Sequence, residues 1–97
     1  MILVKNSKKV ITFSGHAEFS DSLDIVCASV SSIMYTTVNA IKRFNNDAID
    51  YKDNGDVVSI IINSNDSVTE TLINNMISLL LELSTKYPKN LKIESEE

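Results

Sequence analysis

Two stretches of this chain, residues 24–44 and 67–87, carry apolar side chains at three- and four-residue steps. Each follows a pair of short runs rich in β-branched residues. That order constrains the fold more than any other feature. An amphipathic helix must cover its apolar face with another layer, and short strands in pairs supply one sheet for two helices to share.

The first pair is the hairpin 1–5 and 9–15, with Ile2 and Val4, then Val10, Thr12 and Phe13, on either side of Asn6-Ser7-Lys8-Lys9. The second pair is 48–53, where Ile49 and Tyr51 alternate with Asp50 and Lys52, and 57–63, where Val57 to Ile62 is nearly all apolar. The turn Asp53-Asn54-Gly55-Asp56 between them holds the Asn-Gly signal of a tight hairpin. The run 57–63 predicts a central strand buried on both faces. Leu91-Lys92-Ile93-Glu94 alternates as a short final edge strand.

Asp24 is the expected cap of the first helix, which runs to about Phe44. Val26, Val30, Ile33, Thr37, Ile41 and Phe44 form its apolar face, opposite Ser31, Ser32, Asn39 and Arg43. Ser67 and Glu70 read as the capping box of the second helix, which runs to about Tyr87 before Pro88. Its core stripe is Val68, Leu72, Met76, Leu79 and Leu83. Ile73, Ile77, Leu80 and Leu81 widen that stripe enough to predict a contact surface, in this case a subunit interface. The expected fold is a layered α/β sandwich, ββαββα(β), with a largely antiparallel four- to five-stranded sheet and both helices in one domain, 1–97.

Composition narrows the function. The 97 residues carry a formal net charge of −4. Acidic balance argues against a nucleic-acid surface, because phosphate binding needs clustered Lys and Arg. Lys5, Lys8 and Lys9, the densest basic group, suit a solvated hairpin end. One cysteine and one histidine make neither an internal disulfide nor a zinc site of ordinary ligand count, so no metal and no cofactor is expected. No apolar run reads as a signal peptide or a membrane span, and the cytoplasm is the expected compartment.

The one histidine and the one cysteine lie 11 positions apart, in Ser14-Gly15-His16-Ala17-Glu18-Phe19-Ser20-Asp21-Ser22-Leu23-Asp24-Ile25-Val26-Cys27-Ala28-Ser29-Val30-Ser31. A strand end followed by a helix start brings an imidazole and a thiol together, the two groups a cysteine nucleophile needs. With Asp24 as cap, Cys27 is the third helical residue, where unpaired N–H groups favour a thiolate. A two-unit pKa depression needs about 2.7 kcal/mol. A helix end gives only about 0.3–1 kcal/mol, so His16 must supply much of the rest. Asp24 near the sulfur would oppose ionisation, which leaves it to cap the helix and orient His16. An oxyanion could be held by the N–H of Gly15, Val26 or Cys27, and the residues alone do not choose among them. Gly15, one of two glycines, marks a backbone conformation other residues tolerate poorly. The plainer alternative is that Cys27 is a small buried apolar residue and His16 a loop residue.

Gly15-His16-Ala17, a polar loop with the aromatic Phe19, and Asp24-Ile25-Val26-Cys27-Ala28-Ser29-Val30-Ser31 resemble the ribosomal-processing cysteine protease family Prp, whose pattern is Gly-His-Ala, a loop, then Asp-x-Val-Cys-Ala-x-Val-Ser. The resemblance spans essentially the whole chain. It implies a homodimeric cysteine endopeptidase that removes the N-terminal extension of large-subunit ribosomal protein twenty-seven, cleaving after an aromatic residue. It maps the catalytic pair onto His16 and Cys27. Gly15 and Asp24 become supporting residues, and Phe19 and Leu23 become contacts to the substrate's aromatic and leucine side chains. The loop 17–23 is one residue shorter than is usual in the family, with Ser22 where a glycine usually stands. Two other readings compete with the protease. One is a non-catalytic dimeric module that binds the precursor peptide. The other is a thiol redox sensor, which would need an intermolecular partner because the chain has no second cysteine.

Overall fold

In the computed structural model, which describes residues 1–15 and 21–96 and gives only the backbone of 21–24, seven elements follow in the expected order. They are β1 (Ile2–Asn6), β2 (Val10–Ser14), α1 (Asp21–Phe44), β3 (Ile49–Asp53), β4 (Val57–Ile62), α2 (Ser67–Lys86) and β5 (Leu91–Ser95). The sheet order is β3-β4-β2-β1-β5. The β1–β2, β2–β4 and β3–β4 pairs are antiparallel, and β5 joins β1 in parallel, so the sheet is mixed with one parallel pair.

The register explains the core. Val4 pairs with Phe13 and Phe13 with Val58, Ile11 pairs with Ile60, Ile49 with Ile62, and Ile2 with Leu91. Successive side chains point to opposite faces, so these residues share one face. The best-buried strand residues, among them Ile2, Val4, Ile11, Phe13, Ile49, Ile60 and Leu91, all lie on it. From the helices, Val26, Val30, Met34, Val38 and Ile41 of α1 and Ile73, Met76, Ile77 and Leu80 of α2 complete the cluster. By length and composition alone, Ile25–Phe44 is apolar enough to pass for a membrane span, but its apolar stripe is used in this core.

Four expectations are corrected. β4 is not buried on both faces: Ile60 alone is fully covered, while Val57, Ser59 and Ile61, on the other face, are half-buried. With both helices spent on one face, the second has no layer. The stripe of α2 is rotated by about one residue from the predicted one. Thr69, Ile73, Met76, Ile77 and Leu80 are buried, and Val68, Leu79 and Leu81 are exposed. A helix apolar on so much of its surface leaves its phase open, and the hydrogen-bonded N-terminus fixes it. That N-terminus is capped by Asp66, not by a Ser67–Glu70 box. The Asp66 carboxylate accepts from the Thr69 N–H and hydroxyl, both at 2.8 Å, and from the Ser64 hydroxyl. These bonds hold the Asp66 carboxyl below its ordinary 3.8 and satisfy the buried Thr69 hydroxyl. Finally, Phe44 closes α1 from the outside, 54% exposed, and Met34 and Val38 take the inward places.

Candidate active site

α1 begins at Asp21, one turn before the expected cap at Asp24. No glycine or proline lies between the two, and carboxylates along the first turn suit the positive helix end. Asp24 is therefore a first-turn residue, and Cys27 is the seventh residue of the helix rather than the third. Only the first four N–H groups of a helix lack intrahelical partners. The N–H groups of Val26 and Cys27 therefore fall inside the ladder. Of the three oxyanion candidates, Gly15 is the one outside the helix.

Gly15 holds its place for two reasons. Its φ is +90°, where side chains are strained, and a Cβ built there would overlap the carbonyl oxygen of Met1. Just past the Leu3–Ser14 pair of the β1–β2 ladder, the chain at Gly15 lies tight against the backbone of Met1 and Ile2. Gly15 lines an open groove of about 250 Å³, which Cys27 also lines. Cys27 is half-buried and packs against the core on one side. His16 and Phe19 lie outside the described residues, and the side chains of Leu23 and Asp24 do too.

The rest of the groove comes from residues that the sequence reading did not single out as site residues. Ser31 and Tyr35 follow Cys27 at four and eight positions along α1, Val58 stands on β4, and Asp53, Gly55 and Asp56 belong to the β3–β4 turn. The signal was present: Cys27, Ser31 and Tyr35 form a row of small and polar residues beside the apolar stripe Val26, Val30, Met34. The Tyr51 hydroxyl donates to the Tyr35 hydroxyl at 3.1 Å, with the rings 6.0 Å apart and tilted by 48°. Burial, then that hydrogen bond and the neighbouring charges, push Tyr51 up to about 12. Among the described residues no group of three or more His, Cys, Asp or Glu side chains could hold a metal ion.

A half-buried thiol lining an open groove on a layered α/β fold is the arrangement that a peptidase working through cysteine would use. The comparisons give the same class. Residues 1–92 match the family described as cysteine protease Prp, and the chain belongs to that family. A ribosomal processing cysteine protease Prp of Staphylococcus aureus is 29% identical over 98 residues, covering 95% of this chain and 92% of that protein. The crystal structure of the S. aureus essential ribosomal processing protease Prp in complex with a substrate peptide has the same fold. Its TM-score is 0.87 at 23% identity, covering 99% of this chain and 100% of that one. A Streptococcus mutans protein of known structure gives a TM-score of 0.80 at 22% identity, over 97% of this chain and 94% of that one.

Proposed function

We propose that this chain is a cytoplasmic endopeptidase that removes the N-terminal extension of large-subunit ribosomal protein twenty-seven, cleaving after an aromatic residue. The observation that carries the reading is the position of Cys27, half-buried on the wall of the groove where an extended peptide would lie. Cys27 Sγ attacks the scissile carbonyl, and His16 takes the thiol proton and returns it to the leaving amine. Water then hydrolyses the thioester and regenerates the thiol. Gly15 lines the same groove, and its N–H is the candidate donor to the tetrahedral oxyanion. Phe19 and Leu23 are assigned to the substrate's aromatic and leucine side chains, and Asp24 to the orientation of His16. The S. aureus relative crystallised with a substrate peptide supports a peptide as the substrate class.

The test is incubation with a peptide spanning the extension junction, beside the Cys27→Ala protein, read by mass spectrometry. Cleavage after the aromatic residue by the intact protein alone is expected; cleavage by Cys27→Ala would overturn the assignment. We further propose that two copies pair through the helical layer. Leu79 and Leu81 are 40% and 47% exposed, and Leu79 with Ile33 and Leu83 lines a shallow groove between α1 and α2. Sedimentation equilibrium of the intact protein and of Leu79→Glu tests the pairing: a monomer before substitution refutes it.

A further inference from the structure

The groove that holds Cys27 does not end there. It continues along α1 to Tyr35, eight residues on, which at about 1.5 Å per residue is about 12 Å away. An extended peptide covers that span in about three to four residues. The far end has a chemistry of its own. Tyr35 is 46% exposed, with its hydroxyl held by Tyr51. Beside it stands the β3–β4 turn, fixed by its own bonds: Asp53 Oδ1 accepts from the Gly55 N–H at 2.9 Å, and Asn54 Oδ1 from the N–H groups of Asp56 and Val57 at 3.0 and 2.8 Å. Among the described residues nothing else donates to the second oxygen of Asp53 or to the Asp56 carboxylate, and both residues line the groove. No Lys or Arg is among the described residues that line the groove. The charge of Asp53 also acts on Tyr51, as the smallest of the causes that raise its phenol pKa.

We propose that Tyr35 and the Asp53–Asp56 turn form a distal substrate subsite that takes a basic side chain, three or four residues from the scissile bond. The aliphatic stem lies along the Tyr35 ring and Met34, and the cationic head meets the carboxylates. This rests on Cys27 as the reacting residue, since the distance is counted from its thiol.

The test separates the two readings. Fluorescently labelled junction peptides carry Lys, norleucine or Glu in turn at the third and fourth residues on either side of the scissile bond. Binding is measured on the Cys27→Ala protein by anisotropy, with and without Asp53→Asn/Asp56→Asn. At one of these positions Lys binds about three- to tenfold more tightly than norleucine, and Glu more weakly. The double substitution levels the three peptides, and so does high salt. Asn at 53 still accepts from Gly55, so the thermal midpoint stays close to that of the parent and reports an intact turn. Tyr35→Leu costs the Lys peptide about two- to fivefold more than the norleucine peptide. A Lys preference that survives the double substitution, or no preference at any position, overturns the subsite. Cleavage by the Cys27→Ala protein would instead overturn the nucleophile and leave the binding comparison standing.

Discussion

The two helices lie side by side on the same sheet and bury stripes of similar composition, yet the rows next to those stripes differ. In α2 the flanking row is Val68, Leu72, Leu79 and Leu83, largely apolar, with Asn75 the polar residue among them. In α1 it is Cys27, Ser31 and Tyr35, and these line the groove. α2 keeps exposed leucines along one edge, whereas α1 gives up apolar area along one edge and gains a thiol, a hydroxyl and a ring lining an open groove. The difference locates function on a helix without reference to any motif.

Substitutions on the two helices sharpen that contrast. The largest effect expected is on turnover: Cys27→Ala lowers cleavage of the junction peptide on the order of a thousandfold or more, with a thermal midpoint near the parent's, read by single-turnover mass spectrometry and calorimetry. Its counterpart on α2, Leu80→Ala, empties a fully buried site and costs about 2–5 kcal/mol in urea unfolding. The specific turnover of its folded fraction is unchanged. If Leu80→Ala abolished the specific turnover of folded protein, the division between the helices would fail. Gly15→Ala falls between the two kinds. It is expected to cost about 1–3 kcal/mol from the positive φ, more from the Met1 overlap, and to lower kcat as well, because the same residue edges the groove.

Smaller effects come from titration. Asp66 sits below its ordinary value through the bonds from Ser64 and Thr69. Its contribution to the cap is therefore complete above about pH 4, the ordinary carboxylate value, and is lost as pH falls through the lower folded value. The thermal midpoint should drop on acidification, and Asp66→Asn should flatten that slope. Tyr51 shifts the other way. Raised from 10.0 to about 12, it lends stability that is fully present below pH 10 and is lost as pH rises toward 12. A phenolate absorbance titration should show one tyrosine ionising late, and Tyr51→Phe should remove that step.

Much of this was legible from residues. The order of elements along the chain, the two hairpins, the span of α2 and the end of α1 follow from alternation, Asn-Gly and three- to four-residue spacing, because each is a local property of the chain. Gly15 also read correctly, as a backbone position closed to side chains. What did not read was phase and depth. α2 has apolar residues on so many sides that periodicity could not choose its inward row, and the Ser64–Asp66–Thr69 cap, which settles it, uses side-chain bonds that spacing does not reveal. β4 is apolar on both faces, but only tertiary structure shows that the helices cover one. The start of α1 was placed a turn late because Ser and Asp serve as well inside a first turn as at a cap. Of the groove, Cys27 was visible as chemistry, whereas Tyr35, Asp53 and Asp56 come together only when the β3–β4 turn folds over α1.

The parallel pairing of β5 with β1 has a consequence for how the molecule reaches its working shape. Ile2 donates its N–H to the Asn90 carbonyl at 2.8 Å, and residues 2–6 pair in step with 91–95. β1 closes its second edge only when residues 91–95, some ninety positions along the chain, dock beside it. Long-range closure of this kind is slow compared with hairpin formation. Ile2 also lines the groove beside Cys27, so the wall beside the thiol is complete only once this long-range pairing has formed.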